Sequence, residues 1–487
     1  MEAAINHLDW RKNAIQQLDA APLDVLVIGG GIVGAGIARD SAMRGLRTGL
    51  IEQYDFAFGT SSRSARMLHG GLRYLAQGNF GLVRQASLEK LVIRRIAPHL
   101  AAPLPFIFPT YRGTPWPNWK LRIGVKLYDL LCNRHNFHRS EPLSSGRVQS
   151  LLPGINPVGL DGGVRYFDGA TNDARLVIDT LRSAFRNGAV LLNYARLEEA
   201  HRDDSRWRCQ LCDTHRNARF SIRSRSVVNA AGPWADKLAR SRIRIRGTKG
   251  VHVVVKRSRF SIPEAVMMTE DKRVVWAIPW GEMVYIGTTD TDFSGSLENV
   301  PTDPEDIDYI LSVVHSYFPG LQLTDADLVG TWAGVRPLIA AADGHPSEVS
   351  RSHKIFISPD GWLDAAGGKL TTYRLMAEES VNKLVRFLNR TATPCRTHQE
   401  TLLKVGEADG VSGVIPPPVS VEAVRHYCRH EWALHLDDVM IRRTRWHHYL
   451  ADAKSVARQV NAWMAAYYGW DILRQQAEWQ RYVDFPN

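Results

Sequence analysis

Apolar residues run unbroken through Val25-Leu26-Val27-Ile28 and stop at three glycines, Gly29-Gly30-Gly31. A short apolar run bounded by turn residues predicts a strand covered on both faces. A helix follows it, and a second strand, Thr48-Gly49-Leu50-Ile51, ends on Glu52. Upstream, the spacing predicts a short helix over Asn6 to Leu18, and Phe80 to Ile96 reads as a longer amphipathic one. Residues 103–140 are rich in Pro and Trp and then turn basic and apolar. Asp173 opens a helix to about Asn187, and strands follow as far as Val227-Val228-Asn229. Residues 246–345 are strand-rich (VHVVV, VVWAIPW, MVYIGTTD) around a helix near 304–317, which predicts an antiparallel sheet. Lys354 to Ala366 reads as one further strand, and Gly367 to Arg374 opens a long helix. Residues 410–420 (GVSGVIPPPVS) read as a linker into a Trp- and Arg-rich helical tail.

This order describes an α/β chain. A Rossmann-like nucleotide domain is expected over 23–101, resumed at 160–245 and 350–390. A substrate or cap domain with an antiparallel sheet takes 102–159 and 246–349, and a C-terminal helical domain takes 395–487.

Composition removes several classes. With 44% hydrophobic and 23% charged residues the chain is globular, not disordered. Its apolar runs are broken by Pro or charge well short of the roughly 20 residues of a spanning helix. No apolar signal segment opens the chain, so it is expected in the cytoplasm or on the cytoplasmic face of a membrane. The formal charge of +11 fits three anionic partners: nucleic acid, lipid or substrate. The basic residues are scattered and no nucleic-acid motif accompanies them, so nucleic acid is the weakest of the three. Trp116, Trp119, Lys120, Arg122, Lys126, Tyr128, Leu130 and Leu131 combine indoles, cations and an apolar stripe. That mixture suits a membrane interface, and equally a helix packed on its own protein. Five cysteines, an odd number, suit a reducing compartment. Cys209 and Cys212 sit in an alternating run where i and i+3 face opposite ways, and no second pair has zinc-ligand spacing, so they read as incidental strand thiols and no metal is expected.

Gly29, Gly31 and Gly34 form G-x-G-x-x-G. In such a turn the glycines leave the strand sharply, admit backbone to a pyrophosphate and let helix and strand pack closely. The helix start, with Ile32 and Val33, directs N–H groups and a positive dipole end at the phosphates. Glu52 stands about 20 residues on, where an acid meets a ribose hydroxyl. The next segment is no ordinary βα repeat but the donor-rich loop Gly59, Thr60, Ser61, Ser62, Arg63, Ser64, running on to His69, Gly70 and Gly71. A long flavin dinucleotide threading through it, FAD, is favoured over NAD.

HGGLRYL (69–75), NAAGPWA (229–235), KGVHVVV (249–255), DKRVVWAIPW (271–280), IGTTDTD (286–292), AGVRPL (333–338) and GGKLTTYR (367–374) together resemble FAD-dependent glycerol-3-phosphate dehydrogenase. These are the aerobic, quinone-linked enzymes with a D-amino-acid-oxidase-like flavoprotein fold. The motifs stand in family order across nearly all of residues 24–375, and Asp437-Asp438 to Arg442-Arg443-Thr444 is similar to the family's C-terminal helical domain. The chain departs from the family pattern at Ala76 and Val33, and its stretch after Arg374 is shorter.

The resemblance implies oxidation of sn-glycerol 3-phosphate to dihydroxyacetone phosphate, with hydride passing to FAD and electrons to a membrane quinone. It also implies an anionic membrane surface as partner and leaves room for a homodimer. An oxidase of the same fold using oxygen, or a flavin oxidoreductase acting on another small hydroxy or amino substrate, are the alternatives. A phosphate dianion needs cations, for which Arg336, Arg374, Arg73 and Lys369 are candidates, with Tyr74 beside them. A secondary alcohol needs a base, for which His252 is the first candidate and His69 the second. His69 alternatively lines the flavin ring, and His252 alternatively is a satisfied core histidine. Ala231, Gly232, Gly368, Lys369, Leu370 and Thr371 complete the expected cofactor contacts.

Overall fold

The run Leu23–Ile28 lies inside the first of two sheets, with all of its residues buried. The computed structural model describes residues 9–75, 78–132, 136–203, 205–270, 273–340 and 353–485, the side chains of Asp9 and Arg73 excepted. Ala218–Asn229 and Thr48–Ile51 flank Leu23–Ile28 in parallel, and Trp362–Gly367 and Val190–Leu192 extend the sheet in the same sense. Val25 and Val27 face one core with helices Ile32–Met43, Asp173–Arg186 and Tyr373–Leu388. Leu26 and Ile28 face another, with Leu18 of the first helix and Trp207 and Ile222 of the hairpin side. Covering on both faces is what the unbroken apolar run requires.

Two expectations change here. The first helix spans Asp9–Asp19, and Asn6 to Leu8 lie outside the described residues. Lys354 to Ala366 is not one strand but two, His353–Ile357 and Trp362–Gly367, paired antiparallel. Between them Pro359-Asp360-Gly361 reverses the chain, with Gly361 in the left-handed region at φ 85°.

Among the described residues the second sheet has ten strands. Ile245–Lys256 pairs antiparallel with Leu328–Ile339 on one side and Met283–Gly287 on the other. The sheet then continues through Arg273–Trp280 and Ala265–Glu270 to Ala102–Tyr111, Leu160–Ala170 and Met67–Leu68. It is antiparallel as expected, except where Ala265–Glu270 meets Ala102–Tyr111 in parallel. Leu160–Ala170 pairs along its length with Ala102–Tyr111, so residues 160–170 belong to this sheet and not, as the sequence suggested, to the first. Met67–Leu68 joins it too, from inside the expected nucleotide domain. The chain thus enters the second sheet immediately before His69-Gly70-Gly71, and that crossing brings the glycine-rich loop against it.

The C-terminal helices Val421–His430, Ala453–Tyr468 and Ile472–Val483 have their own core around Tyr427, Trp446 and Met464. Buried ion pairs dock them. Asp55 accepts from Arg443 at 2.7 and 2.9 Å and from Arg442 Nε at 2.6 Å, and Arg442 also reaches Asp437 and Asp438. Residues 410–420 are a packed strap and not a free linker. Trp280 and Trp446 donate to its Val414 and Pro417 carbonyls.

Candidate active site

Register decides which side chains meet. On Ile245–Lys256, Gly250 and His252 stand two apart on one face, and His252 pairs with Trp332 on one side and Gly287 on the other. A Cβ at Gly250 would strike the Arg336 guanidinium and Thr288 Oγ1, and one at Gly287 would strike the His252 ring. Both glycines therefore clear space for the functional side chains. Arg336 crosses the gap, donating to Thr288 Oγ1 at 2.9 Å, Asp290 Oδ1 at 3.2 Å and the Thr289 carbonyl at 3.2 Å.

These residues line a cavity of about 240 Å³, shared with His69, Tyr74, Asp168 and Lys369. Lys369 Nζ sits 3.8 Å from the Tyr74 ring centroid, which orients the ammonium by its attraction to the π face. His252 is buried, and neither ring nitrogen has a hydrogen-bond partner among the described residues. Burial, then Arg336 and Arg66, hold its imidazole well below the usual histidine range, so it is neutral at physiological pH. At the cavity wall, Asp168 accepts from Tyr128 Oη at 2.5 Å and Lys90 Nζ at 2.9 Å, while Gly70 N donates to Tyr128 Oη at 2.8 Å. That network pins the His69-Gly70-Gly71 turn.

A second cavity, also about 240 Å³, opens at the glycine turn and is lined by Gly29, Gly31, Ile32, Val33, Glu52, Thr60, Ser61, Ala231, Gly232, Gly368, Lys369 and Leu370. It meets the first along Thr60, Pro337, Gly368, Lys369 and Leu370. Gly29, at φ 112°, has no room for a Cβ, which would lie 2.5 Å from the Ala230 carbonyl oxygen. The Glu52 carboxyl accepts from Gly30 N at 2.7 Å and Tyr54 N at 2.9 Å. Burial pushes it up to about 7 against the pull of those two amides. An acid on the wall, a helix starting at Gly31 and a side-chain-free turn form a donor and acceptor set that fits a dinucleotide.

Several predicted contacts are indirect. Gly34 touches neither cavity, and a Cβ there would collide with the Gly29 carbonyl, so its part is helix–strand packing. Ser62 is buried against the Gly59 carbonyl, Gly70 is held by Tyr128, and Thr371 Oγ1 bonds His69 N at 3.1 Å. Arg63, His69 and Gly71 line the first cavity and not the one at the glycine turn. The side chain of Arg73 and the whole of Ala76 lie outside the described residues.

Arg374 is a correction. It lines neither cavity but is buried, donating to both oxygens of Glu89 at 2.6 and 2.8 Å and to Glu378 at 2.6 Å. Two carboxylates already neutralise it, so it is a structural tie between the helices Phe80–Ile96 and Tyr373–Leu388 and not a phosphate ligand. Thr288, Asp290 and Asp168 were missed as site residues. The first two stood in view inside IGTTDTD, whereas Asp168 had no local signal.

Residues 24–374 match the model of the FAD-dependent oxidoreductase family, and residues 407–475 match that of the C-terminal domain of alpha-glycerophosphate oxidase. The chain belongs to the FAD-dependent oxidoreductase family. It is 38% identical over 387 residues to the aerobic glycerol-3-phosphate dehydrogenase of Staphylococcus aureus (strain USA300), which spans 77% of this chain and 70% of that protein. It is similar to the structure of a glycerol-3-phosphate dehydrogenase from Bacillus halodurans complexed with FAD, with a TM-score of 0.78 and 28% identity over 97% of this chain and 96% of that one. The fold is shared with L-alpha-glycerophosphate oxidase from Mycoplasma pneumoniae, with a TM-score of 0.63 and 18% identity over 79% of this chain and 100% of that one. In a chain of this family the cavity at the glycine turn is the one suited to FAD, and the first cavity, which His252, Arg336 and Lys369 line, adjoins it.

Proposed function

We propose that the chain oxidises sn-glycerol 3-phosphate to dihydroxyacetone phosphate and passes the electrons to a membrane quinone. The observation that carries the reading is the convergence in the first cavity of a neutral His252, without a hydrogen-bond partner among the described residues, with Arg336 and with Lys369, which also lines the cavity at the glycine turn. FAD, when held at the glycine turn by residues such as Gly29, Gly31, Glu52 and Ser61, would supply the acceptor for a hydride from C2 of the substrate. A ring nitrogen of His252 takes the hydroxyl proton, and the C2–O bond becomes the ketone. Arg336 and Lys369 hold the phosphate dianion, and Asp290 and Thr288 fix the plane of the guanidinium.

Helix Asn118–Leu131 supports the membrane half of the proposal. Its exposed side carries Trp119, Ile123 and Leu130, at 65%, 61% and 52% exposure, next to Lys120, Arg122 and Lys126. An apolar stripe flanked by cations suits the headgroup region of an anionic bilayer on the cytoplasmic face. No helix among the described residues is long and apolar enough to cross a membrane. A second reading, oxygen as the acceptor, is favoured by the C-terminal match to alpha-glycerophosphate oxidase.

One assay separates them. The holoenzyme is given sn-glycerol 3-phosphate with a ubiquinone analogue in anionic vesicles, or with dissolved oxygen alone. Quinone reduction far faster than peroxide formation is expected, and peroxide as the main product overturns the quinone reading. A W119S/I123S protein should lose vesicle binding at low salt; unchanged binding removes the role of this helix.

A further inference from the structure

Arg66 is fully buried and left-handed at φ 51°, and none of its three guanidinium nitrogens has a hydrogen-bond partner among the described residues. A cation in that position needs another form of solvation, and the structure supplies it with rings. Its Cζ lies 4.1 Å from the Trp280 ring centroid, 4.1 Å from that of Trp332 and 5.7 Å from that of Tyr285. The enclosure is tied to the backbone around it. Trp332 Nε1 donates to the Ser64 carbonyl at 3.2 Å, Tyr285 Oη to the Ala65 carbonyl at 3.1 Å, and Thr171 N to the Arg66 carbonyl at 3.0 Å. Asp173 accepts from Ser64 N and Oγ at 2.9 and 2.7 Å.

Trp332 also touches the reacting side. The His252 ring stacks on it at 4.8 Å with 13° between planes, and Tyr285 meets His252 edge-on at 6.3 Å. With both nitrogens of His252 unpartnered among the described residues, ring contacts are what set its orientation there. We propose that Arg66 is a positioning residue for His252: held between Trp280 and Trp332, its guanidinium fixes the ring on which the imidazole stacks and keeps positive charge behind it. The charge opposes protonation of the resting imidazole, and the stack fixes the plane of the ring beside the cavity it lines. The inference rests on the reading of His252 as the base.

The other groups facing His252 are Arg336 and Trp332 from Leu328–Ile339, Tyr285 from Met283–Gly287, and Lys369, His69 and Asp290 across the cavity, with His448 behind Trp332. Burial, and then Arg445, pull the Arg66 guanidinium down to about 9, so it remains a cation at neutral pH.

The test is a histidine NMR titration of FAD-loaded protein, wild type against Arg66→Met and Arg66→Lys, run beside the pH dependence of kcat/KM. Removing the cation should raise the pH at which the His252 ring protonates by about 1 unit. Arg66→Lys should restore the wild-type titration. If Arg66→Met does not fold, Arg66→Leu replaces it. An unchanged His252 titration in the folded neutral variant, or a lysine variant that titrates like the methionine one, overturns the proposal. Should the titration move while the acidic limb of kcat/KM stays in place, Arg66 keeps its role and His252 loses that of base.

Discussion

The two joined cavities are built in opposite ways. The one at the glycine turn starts from a stretch close in sequence, Gly29 to Ser61, in which Glu52 is the one acidic lining side chain, and small residues from Ala230 to Gly232 and Ala365 to Gly368 close it. The substrate side uses single side chains from segments far apart, with His69, Asp168, His252, Thr288, Arg336 and Lys369 brought together by strand pairing. The first region binds through shape and amides, so it tolerates little volume. The second works through charge and proton affinity, so loss of a particular group is what disables it.

Single substitutions sharpen that contrast. His252→Ala should slow anaerobic flavin reduction by about 10²–10⁴-fold, the span of a general base, while FAD content stays at wild-type level. A fall in bound FAD would place His252 in the binding region instead. Arg336→Ala should lower kcat/KM for the phosphorylated substrate by about 10²-fold, the scale of a lost bidentate phosphate contact, with stability little changed. Arg374→Ala should do the reverse. Its loss leaves Glu89 buried without its partner and costs about 3–5 kcal/mol of unfolding free energy, read by urea titration, with KM unmoved. Equal KM effects from both arginines would break the distinction.

Glu52 gives a smaller, pH-dependent effect on the other region. Burial pushes its carboxyl up to about 7, so the proton comes off as pH rises through neutrality, and the ionised form is the one that would accept from ribose hydroxyls. FAD affinity of the apoprotein should fall about tenfold from pH 8 to pH 6 if only the carboxylate accepts. Glu52→Gln should flatten the profile, and a flat wild-type profile would contradict this role for the acid.

The contrast also explains what is legible in the amino-acid sequence alone. Gly29 to Glu52 was legible because strand, turn, helix and acid are contiguous and each follows from local physics. His252, Arg336 and Lys369 were reached through resemblance of motifs, since neither spacing nor hydrophobic period says which strand lies beside which. Arg374 shows the limit. It shares GGKLTTYR with Lys369, but five residues on, inside a helix, it faces Glu89 instead of the cavity. Residues 160–170 read as part of the nucleotide domain for a related reason, since the strand's partner, Ala102–Tyr111, lies across two intervening helices, Asn118–Leu131 and Ser145–Leu151. Arg66 and its rings left no trace in the sequence pattern, since a cation enclosed by indoles from two other strands has no local signature.

The most direct test mixes the FAD-loaded protein anaerobically with sn-glycerol 3-phosphate or with glycerol and follows the visible absorption of the flavin. The composite site predicts rapid bleaching with the phosphorylated alcohol, none with glycerol at equal concentration, and loss of that preference in Arg336→Ala. Bleaching by neither, or equally by both, would contradict the assignment of this cavity to a phosphorylated secondary alcohol.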